Sequence, residues 1–419
     1  MSDSQFLSKK SFTAKADNNL LVLLFLLAGF VFSSVYLLKS SAFFITGLLL
    51  FALWDRWRPS MSLVTAPKAV WWFVGSLLVF WLVHILSLLV HGNFERFFTF
   101  RMEFLHFLLV LPILATLFSQ HRLSSVSWYR ILIIIACTTG IYDVLLVVQQ
   151  PLRHEGLLTT PITRGNMGML IGLMAYVSFF GVRERVWRVL AILGFVCGVG
   201  LSLLSGSRGG WLALVLVFFT SYWLVISHSQ YRGYFWSFIA VTLLMIIMLW
   251  PFLPIQQRLE LAFLDVFQYV SGNTHSSLGL RFEAWKASIY AFQERPIFGW
   301  GLASFNSFIQ HYNELGVTNG LSIGHAHNDL FLYAGELGIV GLLALWVIIL
   351  TPLWWLLKAI KYCDITFDQR VIILMGLTVI ESMVEFSLSD QTFSMRYPFQ
   401  FYVISILVVL SLLYRKKYT

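Results

Sequence analysis

Apolar stretches of about 20 residues, the length a helix needs to cross roughly 30 Å of hydrocarbon, recur along almost the whole chain. About twelve can be placed, near residues 20–38, 41–54, 70–90, 104–119, 129–149, 167–182, 187–205, 210–227, 235–252, 329–352, 370–388 and 398–414. The short alternating segments of a membrane β-barrel do not occur. The expected fold is an all-α integral membrane protein with one polytopic domain over residues 1–419. The polar tail through Asn19 runs into a full-length apolar span without a small-residue cleavage site, so the first helix is expected to stay uncleaved.

One long polar interruption breaks the rhythm, and residues 253–328 are expected to form a large loop between the ninth and tenth spans. Leu278, Phe282, Trp285, Ile289 and Phe292 recur there at helical spacing, preceded by Ser276 and Ser277 as N-cap candidates. This predicts an amphipathic helix lying on or dipping into the membrane surface. Arg295-Pro296 and the turn Phe298-Gly299-Trp300-Gly301 mark its end.

Composition agrees with a membrane protein: 58% of residues are hydrophobic and 12% are charged. Charge orients the bundle. With an even number of spans the loops fall into two sets, one with eighteen Lys and Arg and the other with eleven, so the first set and both termini are expected in the cytoplasm. The outer set is almost all Arg, including Arg164, Arg208, Arg281 and Arg396. A guanidinium matches phosphate oxygens with a planar fork, whereas Lys supplies a compact point charge. The face therefore points to an anionic, phosphate-bearing ligand, with headgroup anchoring as the plainer reading of any single arginine. Cys137, Cys197 and Cys363 imply no disulfide framework.

Four short segments bear candidate chemistry. Ser205-Gly-Ser-Arg208-Gly-Gly-Trp211 lies at the outer mouth between two spans, where glycines expose backbone N–H groups to an anion beside Arg208; a tight helical hairpin needs the same glycines for steric reasons. Arg281 and Trp285 sit one turn apart on the loop helix, within reach of each other. In His325-Ala-His327-Asn328-Asp329, Asn328 and Asp329 suit the N-terminus of the tenth span. The macrodipole there favours a neutral imidazole, which suits His327 as a general base. A His-x-His pair also ligates metals, but no third ligand of suitable spacing is evident; both histidines could equally be interfacial structure. Asp390, at the outer end of a span that also holds Glu381 and Glu385, could orient a His or an Arg, or cap a helix.

These residues resemble the O-antigen ligases of lipopolysaccharide assembly, within the superfamily that includes O-antigen polymerases and bacterial protein O-oligosaccharyltransferases. The resemblance rests on Ser-Arg208, on Ser277-Leu-Gly-Leu-Arg281, on His325-x-His327-Asn328 leading into Gly335-Glu-Leu-Gly338, and on Leu388-Ser-Asp390. It implies a glycosyltransferase of the bacterial inner membrane with its active site facing the periplasm. Such an enzyme moves a glycan from undecaprenyl diphosphate to a sugar hydroxyl of the lipid A core, with inversion and without nucleotide sugar, ATP or metal. Arg208 and Arg281 would hold the diphosphate and His327 would activate the acceptor, with His325, Asn328, Trp285, Arg164 and Asp390 in support. The expected partners are the lipid-linked donor, the lipid A-core acceptor and membrane lipids, and no nucleic acid.

A ligase is preferred over a protein-modifying relative because the chain stops soon after its last span, at Arg415-Lys-Lys-Tyr-Thr419, where those relatives commonly carry a further region. An O-antigen polymerase using the same donor is the nearest alternative. A transporter for a lipid-linked glycan or organic anion is the alternative from another class. It should gather polar groups at mid-bilayer in broken helices, whereas most here cluster at one face.

Overall fold

The computed structural model describes residues 66–92, 124–149, 160–205, 208–227, 230–250, 255–272, 274, 276–318, 323–362 and 365–414. The spans expected at 20–38, 41–54 and 104–119 lie outside the described residues. Each of the other nine has a helix. In chain order the elements are α1 (Lys68–His91), α2 (Ser125–Gln149), α3 (Pro161–Gly181), α4 (Arg185–Leu204), a 3-10 turn at Arg208–Gly210, α5 (Trp211–Ser221) running into a π-helical turn at Tyr222–Ile226, and α6 (Arg232–Leu249). The polar interruption folds as α7 (Ile255–Val270), α8 (Ser277–Glu294) and α9 (Phe305–Glu314), and α10 (Asp329–Tyr362), α11 (Phe367–Ser387) and α12 (Arg396–Tyr414) complete the bundle.

Six of the described helices, α1, α2, α4, α6, α10 and α12, are long and apolar enough to cross a membrane. α3 and α11 fall outside that set for a physical reason. They carry Arg164 and Asn166, and Glu381 and Glu385, yet nearly all of α3 and most of α11 beyond its first turn are buried by neighbouring helices. A helix surrounded by protein needs no lipid-compatible surface, so polar side chains are tolerated on it.

α3 and α4 pack with their backbones in contact. A Cβ on Gly198 would lie 2.5 Å from the Gly172 Cα, so only hydrogen at these positions lets the two backbones touch. Around that seam Tyr176 packs edge-on to Phe180 and Phe238, with rings 5.2 and 4.8 Å apart. Its hydroxyl finds Ser221 on α5 at 2.7 Å, so the aromatic body is buried without stranding its polar tip.

α10 is two rods in sequence. Gly338, at φ 64° and ψ −155°, breaks the helix in a region that essentially only glycine occupies. The loop 296–301 fills the break: Ile339 N–H donates to Pro296 O at 2.8 Å, Trp300 N–H to Gly335 O at 3.0 Å and Gly301 N–H to Glu336 O at 2.8 Å. The buried Glu336 carboxylate accepts from the Ala303 and Phe305 N–H groups at 3.0 and 3.1 Å, which fixes the start of α9. The same loop is tied to the end of α1, where Leu302 N–H donates to Ser87 Oγ at 3.1 Å and His91 Nε2 meets Gly299 O at 3.1 Å.

α8 begins where its caps predict, with Ser276 Oγ accepting from Gly279 N–H at 3.1 Å. The face it buries against protein is not its row of large apolar residues, which were expected to meet the membrane surface. Ala284, Ala287, Ser288 and Ala291 are buried against α9 and α10, while Ile289 is exposed. The pattern of large apolar residues misses this because the face is built from small ones: Ser288 lies opposite Gly335 of α10, and a Cβ on that glycine would meet the Ser288 Cα at 3.4 Å. α8 is therefore a packed helix. Among the described residues of the interruption, the most exposed apolar side chains sit on α7, at Phe263, Phe267 and Val270.

Candidate functional site

Five segments meet at one end of the bundle: the first turn of α3, the 3-10 turn, the first turn of α8, the loop before α10 and the turn between α11 and α12. Each is placed by identifiable bonds. Thr160 caps α3 and Pro161 opens it, which brings Thr163 and Arg164 into its first turn. Asn328 caps α10, its Oδ1 accepting from the Leu330 and Phe331 N–H groups at 2.8 and 3.2 Å, and its amide nitrogen donates to Leu388 O at 3.0 Å. Asp329 is fully buried and clips the other side of the same turn, accepting from Phe393 N–H and Ser394 Oγ at 2.7 Å each. Asn328 thus caps as expected, whereas Asp329 holds the Asp390 turn against α10.

That clip brings Asp390 to the histidines. Asp390 Oδ1 lies 3.8 Å from His327 Nδ1, and its Oδ2 accepts from Thr163 Oγ1 at 3.3 Å. His325 and His327 have ring centroids 3.8 Å apart, and His327 N–H donates to His325 Nδ1 at a long 3.3 Å. His327 adopts φ 49°, left-handed backbone uncommon for a residue with a Cβ, of the kind concentrated at functional sites. Trp285 pins the segment between the histidines: its Nε1–H donates to Ala326 O at 2.8 Å and its ring stacks on Phe331 at 5.0 Å. One donor atom from each of His325, His327 and Asp390 lies within 4.8 Å of the others. A third potential donor, which spacing along the chain does not reveal, is therefore Asp390.

The electrostatics favour neutral imidazoles. Burial foremost, then His325 and the Arg281 charge, push His327 down to about 3. His325 is lowered by burial as well, with Asp390 acting against the shift and Arg281 with it. Asp390 is raised, again by burial, partly offset by the Gln391 backbone, His325, Thr163 and Arg281. The sign for His327 is the one the helix N-terminus suggests, but burial is the main cause.

Among the other expected site residues, Arg281 is half-buried in the first turn of α8, close enough for its charge to act on both imidazoles and Asp390. Arg164 is buried beside Thr163. Gly206, Ser207 and the side chain of Arg208 lie outside the described residues. The turn itself is placed: a Cβ on Gly210 would lie 3.0 Å from Asn166 Oδ1, and Ser389 Oγ donates to Gly209 O at 3.5 Å. The backbone carrying Arg208 is thus seated against the residue next to Asp390. Thr163, Asn166, Asp329 and Ser389 were not among the expected site residues. The Thr-Pro-x-Thr capping pattern at 160–163 signals Thr163, Asp329 was expected only at the start of the tenth span, and Ser389 lies within the Leu388-Ser-Asp390 motif.

Residues 193–347 match the O-antigen ligase family. The family that the sequence resembles is thus the one that the central region of the chain matches. The matched region includes Arg208, Arg281, Trp285, His325, His327 and Asn328; Arg164 and Asp390 reach the site from outside it. An uncharacterized protein of Haemophilus influenzae is 27% identical over 248 residues, covering 56% of this chain. The alignment spans 60% of that relative's length.

Proposed function

We propose that the chain is an O-antigen ligase. It transfers glycan from undecaprenyl diphosphate to a sugar hydroxyl of the lipid A core at the periplasmic face of the inner membrane. The observation that carries this reading is the assembly of a neutral, half-buried His327, a facing carboxylate and the Arg281 charge at one end of a membrane bundle whose central region matches the ligase family.

In the reaction, the lone pair of the acceptor oxygen attacks the anomeric carbon while the bond from that carbon to the diphosphate oxygen breaks. The configuration inverts. The hydroxyl proton passes to His327, and Asp390 stabilises the imidazolium that forms, at a separation of 3.8 Å that a small shift closes to a hydrogen bond. Arg281 and Arg208 take up the charge developing on the leaving diphosphate, a contribution of about 3–4 kcal/mol for one well-placed donor. Trp285 acts on the histidines through Ala326, and Asn328 acts by fixing the helix start, so both are positioning residues. Arg164, at the buried start of α3, supports the anion-binding side.

The test is reconstitution. Purified protein, an undecaprenyl-diphosphate glycan and rough lipopolysaccharide should give a higher-mass lipopolysaccharide ladder on a gel. Extension of the lipid-linked glycan without lipopolysaccharide modification would make the chain a polymerase instead, and movement of donor across vesicles without transfer would make it a transporter.

A further inference from the structure

The three side chains around the proposed base also form a donor set with a second chemistry. His327 Nδ1 is buried and makes no hydrogen bond. Its 3.8 Å separation from Asp390 Oδ1 is too long for one. It is close to the roughly 3.4 Å between two ligand atoms on a tetrahedral ion with bonds of about 2.0–2.1 Å. His325 gives up only a 3.3 Å contact if a ring nitrogen turns to the same point. Thr163 Oγ1 already holds the other Asp390 oxygen, the kind of outer bond that orients a ligating carboxylate. Two imidazoles with one carboxylate suit a zinc-class ion, whereas calcium and magnesium call for oxygen throughout. Three protein ligands leave a fourth position for water or a substrate oxygen.

We infer that His325, His327 and Asp390 form an inhibitory site for a divalent transition-metal ion of the zinc class, which takes His327 Nδ1, leaves the proton of the neutral ring on Nε2 and so removes the lone pair that glycan transfer requires. The inhibitory sign rests on the reading of His327 as the base; the binding does not. Arg281 opposes the ion, because its positive charge acts on both imidazoles, so neutralising it tightens binding.

Full-length protein in detergent is titrated with Co²⁺, followed by visible absorption and competed with Zn²⁺. The same titration is run on Asp390→Asn, His325→Gln and Arg281→Gln. One ion per chain is expected. The signal is lost in the first two variants and tighter in the third, and Thr163→Val binds about tenfold more weakly. Absence of binding, or equal binding in wild type, Asp390→Asn and His325→Gln, overturns the site. In parallel, Zn²⁺ is expected to stop transfer over the concentration range of binding, and EDTA to restore it. Binding that leaves transfer untouched overturns the inhibition, and His327 as base with it. Because the Co²⁺ signal is read without turnover, an inactive preparation that still binds one ion through these residues would refute the ligase reading alone.

Discussion

The acid side of the pH profile separates a buried His327 from an ordinary one. Catalysis needs the neutral imidazole, so activity falls as pH drops through the pKa of this group. At the usual value of about 6.5, the neutral fraction would drop from about 91% at pH 7.5 to about 3% at pH 5, a loss of roughly 30-fold. Burial, His325 and Arg281 instead hold His327 at about 3, and at that value about 99% stays neutral at pH 5. Initial transfer rates of purified protein at subsaturating acceptor, from pH 8 to pH 5, should therefore be nearly flat. Folding responds with the opposite weight. The unfolded chain protonates this histidine below about pH 6.5 and the folded chain does not, so His327 lowers stability progressively as pH falls from 6.5 toward 3. A thermal-unfolding series over the same range separates that effect from catalysis. Asp390, which burial raises, must keep its charge, so an acid limb centred near 6.5 that persists in folded Asp390→Asn would refute the argument, because the group that must be neutral would then be one that burial does not reach.

Three further outcomes are expected. Arg281→Lys and Arg208→Lys should each lose most transfer activity, about 10²–10³-fold in kcat, because a point charge does not replace a fork at a diphosphate; wild-type rates in both folded variants would reduce the arginines to headgroup anchors. His327→Ala should cost about 10²–10⁴ in rate while donor binding persists, with His325→Ala milder; single-turnover rates and a donor-binding assay measure the two effects separately. Gly338→Ala forces a Cβ to 2.5 Å from Ile297 O in a backbone region that essentially only glycine occupies, so it should lower stability by about 1–3 kcal/mol or more; an unchanged unfolding temperature in the same detergent would show that the break at Gly338 is not needed.

Features whose cause is local were legible in the sequence. The caps at Ser276 and Asn328, the end of α8 before Pro296 and the turn glycines at 299 and 301 follow from residues within a few positions of one another. What the sequence hides is distance along the chain. Thr163 and Asp390 are 227 residues apart and meet only because α3 and α11 are both central to the bundle. The small-residue face of α8 was hidden for a different reason. Alanine and serine carry little apolar weight, yet they are what permits close approach to Gly335. The arginines and histidines could be named from residue type and spacing, whereas the pairing of His327 with Asp390 required the fold.

The break at Gly338 bears on what orients this end of the protein. The histidine loop continues directly into the short rod Asp329–Leu337, which is buttressed sideways by loop 296–301 and the Asp329 clip. The long apolar rod follows beyond the kink, and Ile339 and Val340 at its start donate to Pro296 O and Ile297 O while Trp300 and Gly301 donate to the short rod. Loop 296–301 therefore splices the two rods where the helical ladder is interrupted. The heading of the histidine loop is thereby set by residues of the polar interruption and not by an unbroken membrane helix.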